Sequence, residues 1–285
     1  CIMEIKRERY LSKLISFMWD GQVKVITGIR RCGKSYLLRT LFKNYLLGAG
    51  VAEDHILSFE LDLTRDIRYR NPLELAAHVR SIVEHSSEPY YLFVDEIQMS
   101  DEVPNPYNPD GKKITFYDAL NDLKSLSNLD IYVTGSNSKF LSSDIVTEFR
   151  GRGDEIRIHP LSFAEFYSVW DGDFDDAWDE YMLYGGLPQI VNFQNERQKA
   201  DYLKNIFANV YLKDVIERNR IQNDAEINIL VDVLASAIGA PTNPSKIANT
   251  FASERQMSYT NKTISQHIDF LADAFLIEKA QRYDI

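Results

Sequence analysis

One eight-residue segment limits the folds open to this 285-residue chain more than any other. Residues 28–35 read G-I-R-R-C-G-K-S, which matches the pattern G-x-x-x-x-G-K-S. Glycines at these positions let the backbone curl so that several N–H groups point inward at phosphate oxygens. The lysine of the pattern reaches the β- and γ-phosphates, and the serine hydroxyl ligates Mg²⁺. The segment therefore predicts a phosphate-binding loop, or P-loop.

The sequence on both sides of the loop supports this interpretation. Val23–Thr27 is a short run rich in β-branched residues, which predicts a buried strand. Residues 36–47 place apolar side chains at helical spacing, which predicts a helix. A strand, a loop and a helix in this order aim the positive end of the helix at a bound anion. We expect the nucleotide contacts to come from Gly28, Ile29, Arg30, Arg31, Cys32, Gly33, Lys34, Ser35 and Tyr36.

Two acidic residues follow a second apolar strand candidate. Residues 89–94 read P-Y-Y-L-F-V, and Asp95 and Glu96 come next. In P-loop enzymes the first carboxylate of such a pair helps to hold Mg²⁺, and a following base activates water. We predict Asp95 and Ser35 as metal ligands, Glu96 as the catalytic base and Lys34 as a phosphate-binding catalytic residue. The alternative is that the acidic pair forms a solvated turn.

Apolar strands and helices alternate through the first part of the chain. Further strands are predicted at 55–59, 130–134 and 154–159, and helices at 72–85, 115–126 and 138–149. Residues 100–111 contain three prolines and a glycine and are predicted to form a loop. Apolar strands separated by helices indicate a parallel sheet covered on both faces. The predicted fold is therefore an α/β P-loop NTPase of the AAA+ type.

Further candidate residues lie at the end of the predicted fourth strand and just before the fifth. Ser136 and Asn137 end the strand 130–134, where a polar residue (sensor 1) contacts the γ-phosphate or the attacking water in P-loop ATPases with an additional strand. Either residue could fill this role, and both also suit the N-cap of the next helix. Arg150 and Arg152 could act as arginine fingers toward a neighbouring subunit or form salt bridges with adjacent acids. The sequence alone favours neither interpretation.

The pattern changes after residue 160. Residues 161–220 are predicted to be mostly helical, with an interruption at the sequence G-G-L-P of residues 185–188, and we interpret them as a helical lid. Residues 221–285 are predicted to form helices, a turn, a helix at 261–274 and an extended strand at 276–280. This order indicates a winged helix that is truncated in or after the wing. The predicted domains are an ATPase core (1–160), a lid (161–220) and a winged helix (221–285).

The helix at 261–274 is the one that a winged helix would present to DNA. Asn261 and Gln266 could read base edges. Lys262 is the one lysine among the DNA-facing positions, and Asp269 would repel phosphates. Because phosphate contacts supply most of the affinity for DNA, we favour packing against protein over binding to DNA.

Charge and cysteine content restrict the expected partners and the expected cellular compartment. The net charge is −10, yet residues 1–40 carry nine Lys or Arg against three acids, which suits a triphosphate. Residues 158–196 contain no Lys or Arg, which argues against a surface that is basic all over. The two cysteines, Cys1 and Cys32, imply no disulfide framework and a reducing cytoplasm. No apolar run approaches the ~18 residues of a membrane span, so no membrane partner is expected.

These motifs resemble those of the AAA-type ATPases of bacteria and archaea. The resemblance rests on residues 26–35, 94–98, 134–136, 149–152, 160–166 and 185–188, and extends over about residues 6–285. It implies ATP and Mg²⁺, with Lys34, Ser35, Asp95 and Glu96 in the roles given above. It also implies a lid, a winged helix and a C-terminal domain of nuclease-like fold that this sequence does not include.

The same resemblance implies that the turn at 185–188 places the lid against the nucleotide, with Gly186 and Pro188 on the adenine side. The proline-rich insertion at 100–111 departs from the family pattern and is either a partner-binding loop or a surface excursion.

We therefore predict an Mg-dependent ATPase whose cycle moves the lid and the winged helix. The alternative is a nucleotide-gated DNA-binding regulator with negligible turnover. A phosphotransferase acting on a small molecule is disfavoured, because Glu96 stands where a water-activating base belongs. A homo-oligomer and an unidentified protein partner are both compatible with the sequence.

Overall fold

The computed structural model describes residues 4–136, 153–254 and 259–280. Within these residues lies a five-stranded parallel sheet with the spatial order β2-β3-β4-β1-β5. The strands are β1 (Val23–Thr27), β2 (Ile56–Glu60), β3 (Tyr90–Asp95), β4 (Leu129–Gly135) and β5 (Gly153–Arg157). The prediction of a parallel α/β fold is thus confirmed, and β4 lies between the P-loop strand and the acidic strand.

The register brings the carboxyl ends of the strands to one edge of the sheet. Every residue of β1, β3 and β4 is buried, as expected for central strands of a parallel sheet covered on both faces. Thr27 at the end of β1 pairs with Gly135 of β4, and Glu60 at the end of β2 pairs with Asp95 of β3. The loops that follow these strands are therefore neighbours in space.

Helices cover both faces of the sheet. Helix α1 spans Glu8–Ser16, and α2 is a continuous helix over residues 34–48, made of Lys34–Tyr36, a π-helical stretch Leu37–Phe42, and Lys43–Gly48. Helices α3 and α4 span Pro72–Val83 and Phe116–Leu123, and short 3₁₀ helices span Glu53–His55, Thr64–Arg70 and Ile97–Met99. The predicted helix at 138–149 lies outside the described residues.

Alternate strand residues face two separate cores. Val25, Val94 and Val133 pack in the core that contains α3 and α4. Ile26 and Tyr132 pack in the other core, which contains α1 and α2. Because successive strand residues point to opposite faces, this alternation fixes the side from which each helix covers the sheet.

Further helices follow β5. Helix α5 spans Phe163–Tyr167, α6 spans Phe174–Tyr184, and a 3₁₀ helix spans Pro188–Asn192. Ser162 caps α5 by a reciprocal capping box with Glu165, as the spacing S-x-x-E predicts. The apolar residues that hold this part together are Ile5, Leu161, Phe166 and Ala177.

The chain forms two compact units, Cys1–Lys199 and Ala200–Ile285. Helix α7 covers residues 196–219 as Glu196–Ile206, a π-helical stretch Phe207–Leu212, and Lys213–Asn219. Helices α8, α9 and α10 span Asp224–Ser236, Pro244–Glu254 and Asn261–Asp273. The second unit has its own apolar core, whose fully buried members include Ile227, Leu230, Phe251, Ile264 and Leu271.

One element of the second unit was predicted wrongly. The extended strand expected at 276–280 is not formed, although its residues are described. A strand needs a partner to take its backbone hydrogen bonds, and none of the described residues of this unit provides one.

In the described part of the chain, every helix is too short or too polar to span a lipid bilayer.

Candidate functional site

The P-loop joins β1 to α2 in a tightly curled backbone. Gly28, Arg31 and Gly33 have φ values of 146°, 63° and 101°. A Cβ atom at Gly28 would lie 2.2 Å from the carbonyl oxygen of Ile158, so only glycine fits there. The curl therefore follows from the two glycines of the motif and from the close approach of the chain that leaves β5.

Lys34 lies inside this loop. Its side chain is buried, and Nζ donates hydrogen bonds to the carbonyl oxygens of Gly28 at 3.0 Å and Ile29 at 3.1 Å. Carbonyl oxygens carry no net charge, whereas a buried ammonium is stabilised most by an anion. The loop thus holds a positive charge at the N-terminal end of α2, where phosphate groups bind in other proteins.

Three other predicted nucleotide contacts, Cys32, Ser35 and Tyr36, lie in the loop or in the first turn of α2. Cys32 is buried, its Sγ lies 3.6 Å from the carbonyl oxygen of Ile158, and burial raises the pKa of its thiol. Ser35 is half-buried in the first turn of α2. Burial, and then the charge of Glu4, raise the pKa of the Tyr36 hydroxyl. Cys32 is thus a packed side chain and no nucleophile at neutral pH, because the thiolate is the reactive form.

Asp95 is buried at the end of β3 and is held by a residue that sequence reasoning missed. The hydroxyl of Thr134, on β4, donates to Asp95 Oδ1 and accepts a hydrogen bond from the backbone N–H of Glu96 at 3.0 Å. Thr134 is fully buried. One hydroxyl group therefore holds both the Asp95 side chain and the Glu96 backbone. The sequence feature that could have indicated this role is a threonine at the end of an apolar strand.

Glu96 has an unusual backbone conformation. Its φ of 54° lies in the left-handed region, which costs a non-glycine residue of the order of 1–3 kcal/mol. The amide of Gln98 donates to Glu96 Oε2, and the hydroxyl of Ser136 donates to the same oxygen at 3.2 Å. The Gln98 amide also lies 3.0 Å from Ser136 Oγ. Ser136, a sensor 1 candidate, thus contacts the predicted catalytic base.

A cluster of charged residues that sequence reasoning missed adjoins Asp95 through Arg39. Arg39, one helical turn after Ser35, forms an ion pair with Glu60, and its Nη1 lies 3.9 Å from Asp95 Oδ2. Arg65 pairs with the same Glu60 carboxylate. The spacing of four residues from Ser35 was the available signal, because it places Arg39 on the same helix face.

A buried arginine ties the P-loop to α5. The guanidinium of Arg7 donates to the carbonyl oxygen of His159 at 2.6 Å and lies 3.4 Å from that of Cys32. It also forms an ion pair with Glu165 at 3.1 Å. Nothing in the polar N-terminal sequence indicated that this one arginine would be buried.

The turn at 185–188 lies at the tip of the P-loop. A Cβ atom at Gly33 would lie 3.9 Å from Pro188 Cγ. A Cβ atom at Gly186 would lie 2.1 Å from the carbonyl oxygen of Leu161, whose own N–H bonds to the Gly186 carbonyl at 2.6 Å. Gly186 also lines a cleft of about 990 Å³ together with Arg7.

Three of the predicted site residues, Asn137, Arg150 and Arg152, lie outside the described residues. Among the described ones, no group of three or more His, Cys, Asp or Glu side chains could hold a metal ion. A metal bound here by the described part of the chain would therefore take other ligands as well, as Mg²⁺ does when phosphates and water complete its shell.

Comparison with protein families gives two matches. Residues 20–167, more than half of the chain, match a model described as an AAA domain. Residues 175–285 match a model described as a domain of unknown function (DUF8612).

Two relatives match nearly the whole chain. An uncharacterized protein of Haemophilus influenzae is 36% identical over 291 residues, which cover 99% of this chain and 68% of that protein. An uncharacterized protein of Methanocaldococcus jannaschii is 28% identical over 273 residues, which cover 90% of this chain and 56% of that protein. The chain thus spans about two thirds of the first relative and little over half of the second.

Solved structures with a similar fold include an archaeal one. It is a Walker-type ATPase of Pyrococcus abyssi, with a TM-score of 0.61, 16% sequence identity, and coverage of 95% of this chain and 90% of that one. At this identity the likeness concerns the fold alone.

Proposed function

The chain belongs to the AAA domain family, and on this premise we propose that it binds ATP with Mg²⁺ and hydrolyses the β–γ phosphoanhydride bond. One observation carries the proposal. Strands β1 and β3, on either side of β4, bring the buried Lys34 ammonium, the buried Asp95 carboxylate and the half-buried Glu96 carboxylate to one edge of the sheet. These are the groups that phosphoryl transfer to water requires.

The P-loop would bind the phosphates. In this proposal phosphate oxygens replace the two carbonyl partners of Lys34 Nζ, and inward-facing backbone N–H groups complete the cradle. Gly186 and Pro188 would lie on the adenine side, supported by the position of Pro188 beside Gly33.

The residues beside the P-loop fit Mg²⁺. The donors available are the Asp95 carboxylate and the Ser35 hydroxyl, and hard oxygen donors of this kind suit Mg²⁺, which takes further ligands from phosphates and water. Asp95 and Ser35 would hold the ion, which when bound neutralises charge on the phosphate oxygens. Thr134 orients Asp95, and Arg39 balances the charge of Asp95 and Glu60.

Glu96 would activate the attacking water. Gln98 and Ser136 both donate to Oε2, so we assign the acceptance of the water proton to the other oxygen, Oε1. The water oxygen then bonds to the γ-phosphorus as the bond to the β–γ bridging oxygen breaks, which yields ADP and phosphate. The left-handed backbone at Glu96 supports this role, because strain of this kind concentrates at active sites.

Several predictions about the rest of the chain stay proposals. They are the domain boundaries at 160 and 220, a lid and a winged helix that move with the nucleotide, Asn137 as sensor 1, Arg150 or Arg152 as a finger in a homo-oligomer, and location in the cytoplasm. For α10 we still favour packing against protein over binding to DNA. Asp269 forms an ion pair with Lys279, so the positive charge of this lysine is already compensated and attracts phosphate groups less. A salt-dependent gel shift that strengthens with ATP would reverse that preference.

Nucleotide binding is tested by titration calorimetry with ATP and Mg²⁺. We expect Lys34→Ala to weaken ATP binding by about 100-fold, since it removes a charge-assisted contact to the phosphates. The matched control is Lys43→Ala, which removes the same charge from a half-buried position on the same helix, paired with Glu53. Equal ATP affinity in the two variants would contradict the proposed phosphate site.

A further inference from the structure

An exposed aromatic and aliphatic stripe lies on α5 and α6, and none of its residues belongs to the site described above. Tyr167, Phe174, Trp178 and Met182, hereafter the α6 surface, expose 38%, 54%, 44% and 65% of their area. The last three follow a spacing of four residues, so they fall on one side of α6 over about two turns. Large apolar residues that cluster in water typically mark an interaction site.

The stripe keeps much of its area exposed although Phe174 and Trp178 also contact Phe163 of α5. The buried residues of this helix, Ala177 and Tyr184, do not belong to the stripe. The hydroxyl of Tyr181 donates to the carbonyl oxygen of Leu161 at 2.8 Å and anchors the helix there. The α6 surface therefore remains open to solvent after α6 has made its own contacts.

Phe163, on α5, packs against the three aromatic rings of the α6 surface. The ring centroid of Phe163 lies 4.8 Å from that of Trp178, 5.2 Å from that of Phe174 and 5.8 Å from that of Tyr167. The contacts with Trp178 and Phe174 are edge-to-face and the contact with Tyr167 is stacked, and together they fix the orientation of the rings. A rigid apolar surface loses little side-chain entropy when a partner covers it, which favours binding.

The surroundings of the stripe are acidic. Exposed carboxylates occur before α6 and along it, at Asp171, Asp173, Asp175, Asp176 and Asp179. The sequence between Arg157 and Arg197 contains no Lys or Arg. Asp175 and Asp179 share a helix row next to the stripe, so a partner lying on the stripe meets negative charge at its edge.

We propose that the α6 surface docks an amphipathic helix of another protein that has an apolar face and Lys or Arg along its flanks. A stripe of residues spaced by four matches the anchors of a helix that lies in a groove or on a face. The acidic row selects a basic partner by charge complementarity. This inference does not depend on ATP hydrolysis.

A second copy of this chain is a poorer match to the α6 surface. Ile67, in the 3₁₀ helix Thr64–Arg70, is an exposed apolar residue with basic neighbours that a second copy would offer. Its neighbours Arg65 and Arg68 are paired with Glu60 and Glu74 of the same chain. Docking against an acidic surface would have to compete with these existing pairs.

The test uses synthetic helical peptides of about 18 residues, or five turns, with a fluorescent label. The first peptide carries leucines at i, i+3, i+4 and i+7 and lysines elsewhere. The second replaces the lysines by glutamates, and the third scatters the same leucines and lysines over all faces. We expect anisotropy titration to show binding of the first peptide only, with an affinity that falls as salt rises.

Variants locate the binding. Met182→Gln and the pair Asp175→Asn with Asp179→Asn change exposed side chains, so the fold should be kept, and circular dichroism checks this. We expect each to weaken the basic peptide about tenfold, and Trp178→Ala to weaken it at least as much. The matched control is Tyr107→Gln, because Tyr107 is 97% exposed but lies in the loop 100–111.

Three outcomes would overturn the inference. The first is equal binding of the basic amphipathic peptide and its scattered counterpart, which would mean charge attraction alone. The second is unchanged affinity in Met182→Gln and in the asparagine pair. The third is concentration-dependent self-association, measured by sedimentation, that Met182→Gln abolishes, because the α6 surface would then be a contact between copies of this chain.

Discussion

Replacement of Thr134 by valine should damage the acidic edge of the sheet while keeping the shape of the side chain. Valine fills nearly the same volume but has no hydroxyl, so Asp95 loses a donor and the N–H of Glu96 loses its acceptor. A hydrogen bond to a charged group contributes about 1.5–3 kcal/mol, and a buried N–H without a partner costs about 1–3 kcal/mol. Because such terms do not add fully, we expect a loss of about 2–5 kcal/mol in stability.

The comparison with Thr134→Ser separates the hydroxyl from the methyl group. Serine keeps the hydroxyl and loses one buried methyl group, which costs about 0.8 kcal/mol. Urea unfolding followed by tryptophan fluorescence is a suitable assay, because the three tryptophans, at 19, 170 and 178, all lie in the first unit. ATP turnover should fall strongly in Thr134→Val and little in Thr134→Ser.

Two results would contradict the role assigned to the Thr134 hydroxyl. If Thr134→Val were as stable as the wild type and Thr134→Ser were the weaker variant, packing of the methyl group would matter and the hydroxyl would not. Wild-type turnover in Thr134→Val would likewise mean that Asp95 and Glu96 are positioned without Thr134.

Three further predictions concern backbone fit, thiol reactivity and pH. Gly186→Ala should lower stability by about 1–3 kcal/mol, because its Cβ would lie 2.1 Å from a backbone carbonyl oxygen, whereas Gly48→Ala, with open space around it, should be neutral or slightly stabilising in urea unfolding. In a Cys1→Ser background, iodoacetamide should modify Cys32 slowly in the native protein and rapidly in concentrated guanidinium, as mass spectrometry would show, because burial raises the pKa of this thiol. Burial lowers the pKa of His267 in the folded state, so the unfolded state binds the proton first as pH falls through about 6.5. The protection factors of the α10 amides, which correct for the slower intrinsic exchange at low pH, should therefore fall between pH 7 and 5, and His267→Gln should reduce that pH dependence.

The sequence predicted the core of the fold well where local pattern and tertiary structure agree. The strand predicted at 89–94 is found at Tyr90–Asp95, and the helix predicted at 72–85 is found at Pro72–Val83. Helix α1, Glu8–Ser16, was missed although Leu11, Leu14 and Ile15 follow helical spacing, which was the available signal. Its stability comes mainly from the packing of this apolar face.

Only those parts of the candidate site that belong to sequence motifs could be predicted. The P-loop and the acidic pair follow from spacing in the sequence. The roles of Thr134, Arg39 and Arg7 depend on contacts between residues far apart in the chain, such as the approach of Thr134 on β4 to Asp95 on β3. The strand expected at 276–280 failed for the same reason, because a strand depends on a partner that its own sequence does not specify.

The most direct test of the central proposal is ATP hydrolysis by the wild type and by Glu96→Gln with Mg²⁺, over a range of protein concentrations, with Glu102→Gln as an exposed control. The proposal predicts that Glu96→Gln binds ATP with nearly unchanged affinity and loses at least about 100-fold in turnover, since general base catalysis contributes about 10²–10⁴. Turnover that rises steeply with protein concentration would add support for a finger supplied by a neighbouring subunit. Wild-type turnover in Glu96→Gln, or the absence of ATP binding by the wild type, would contradict the proposed function.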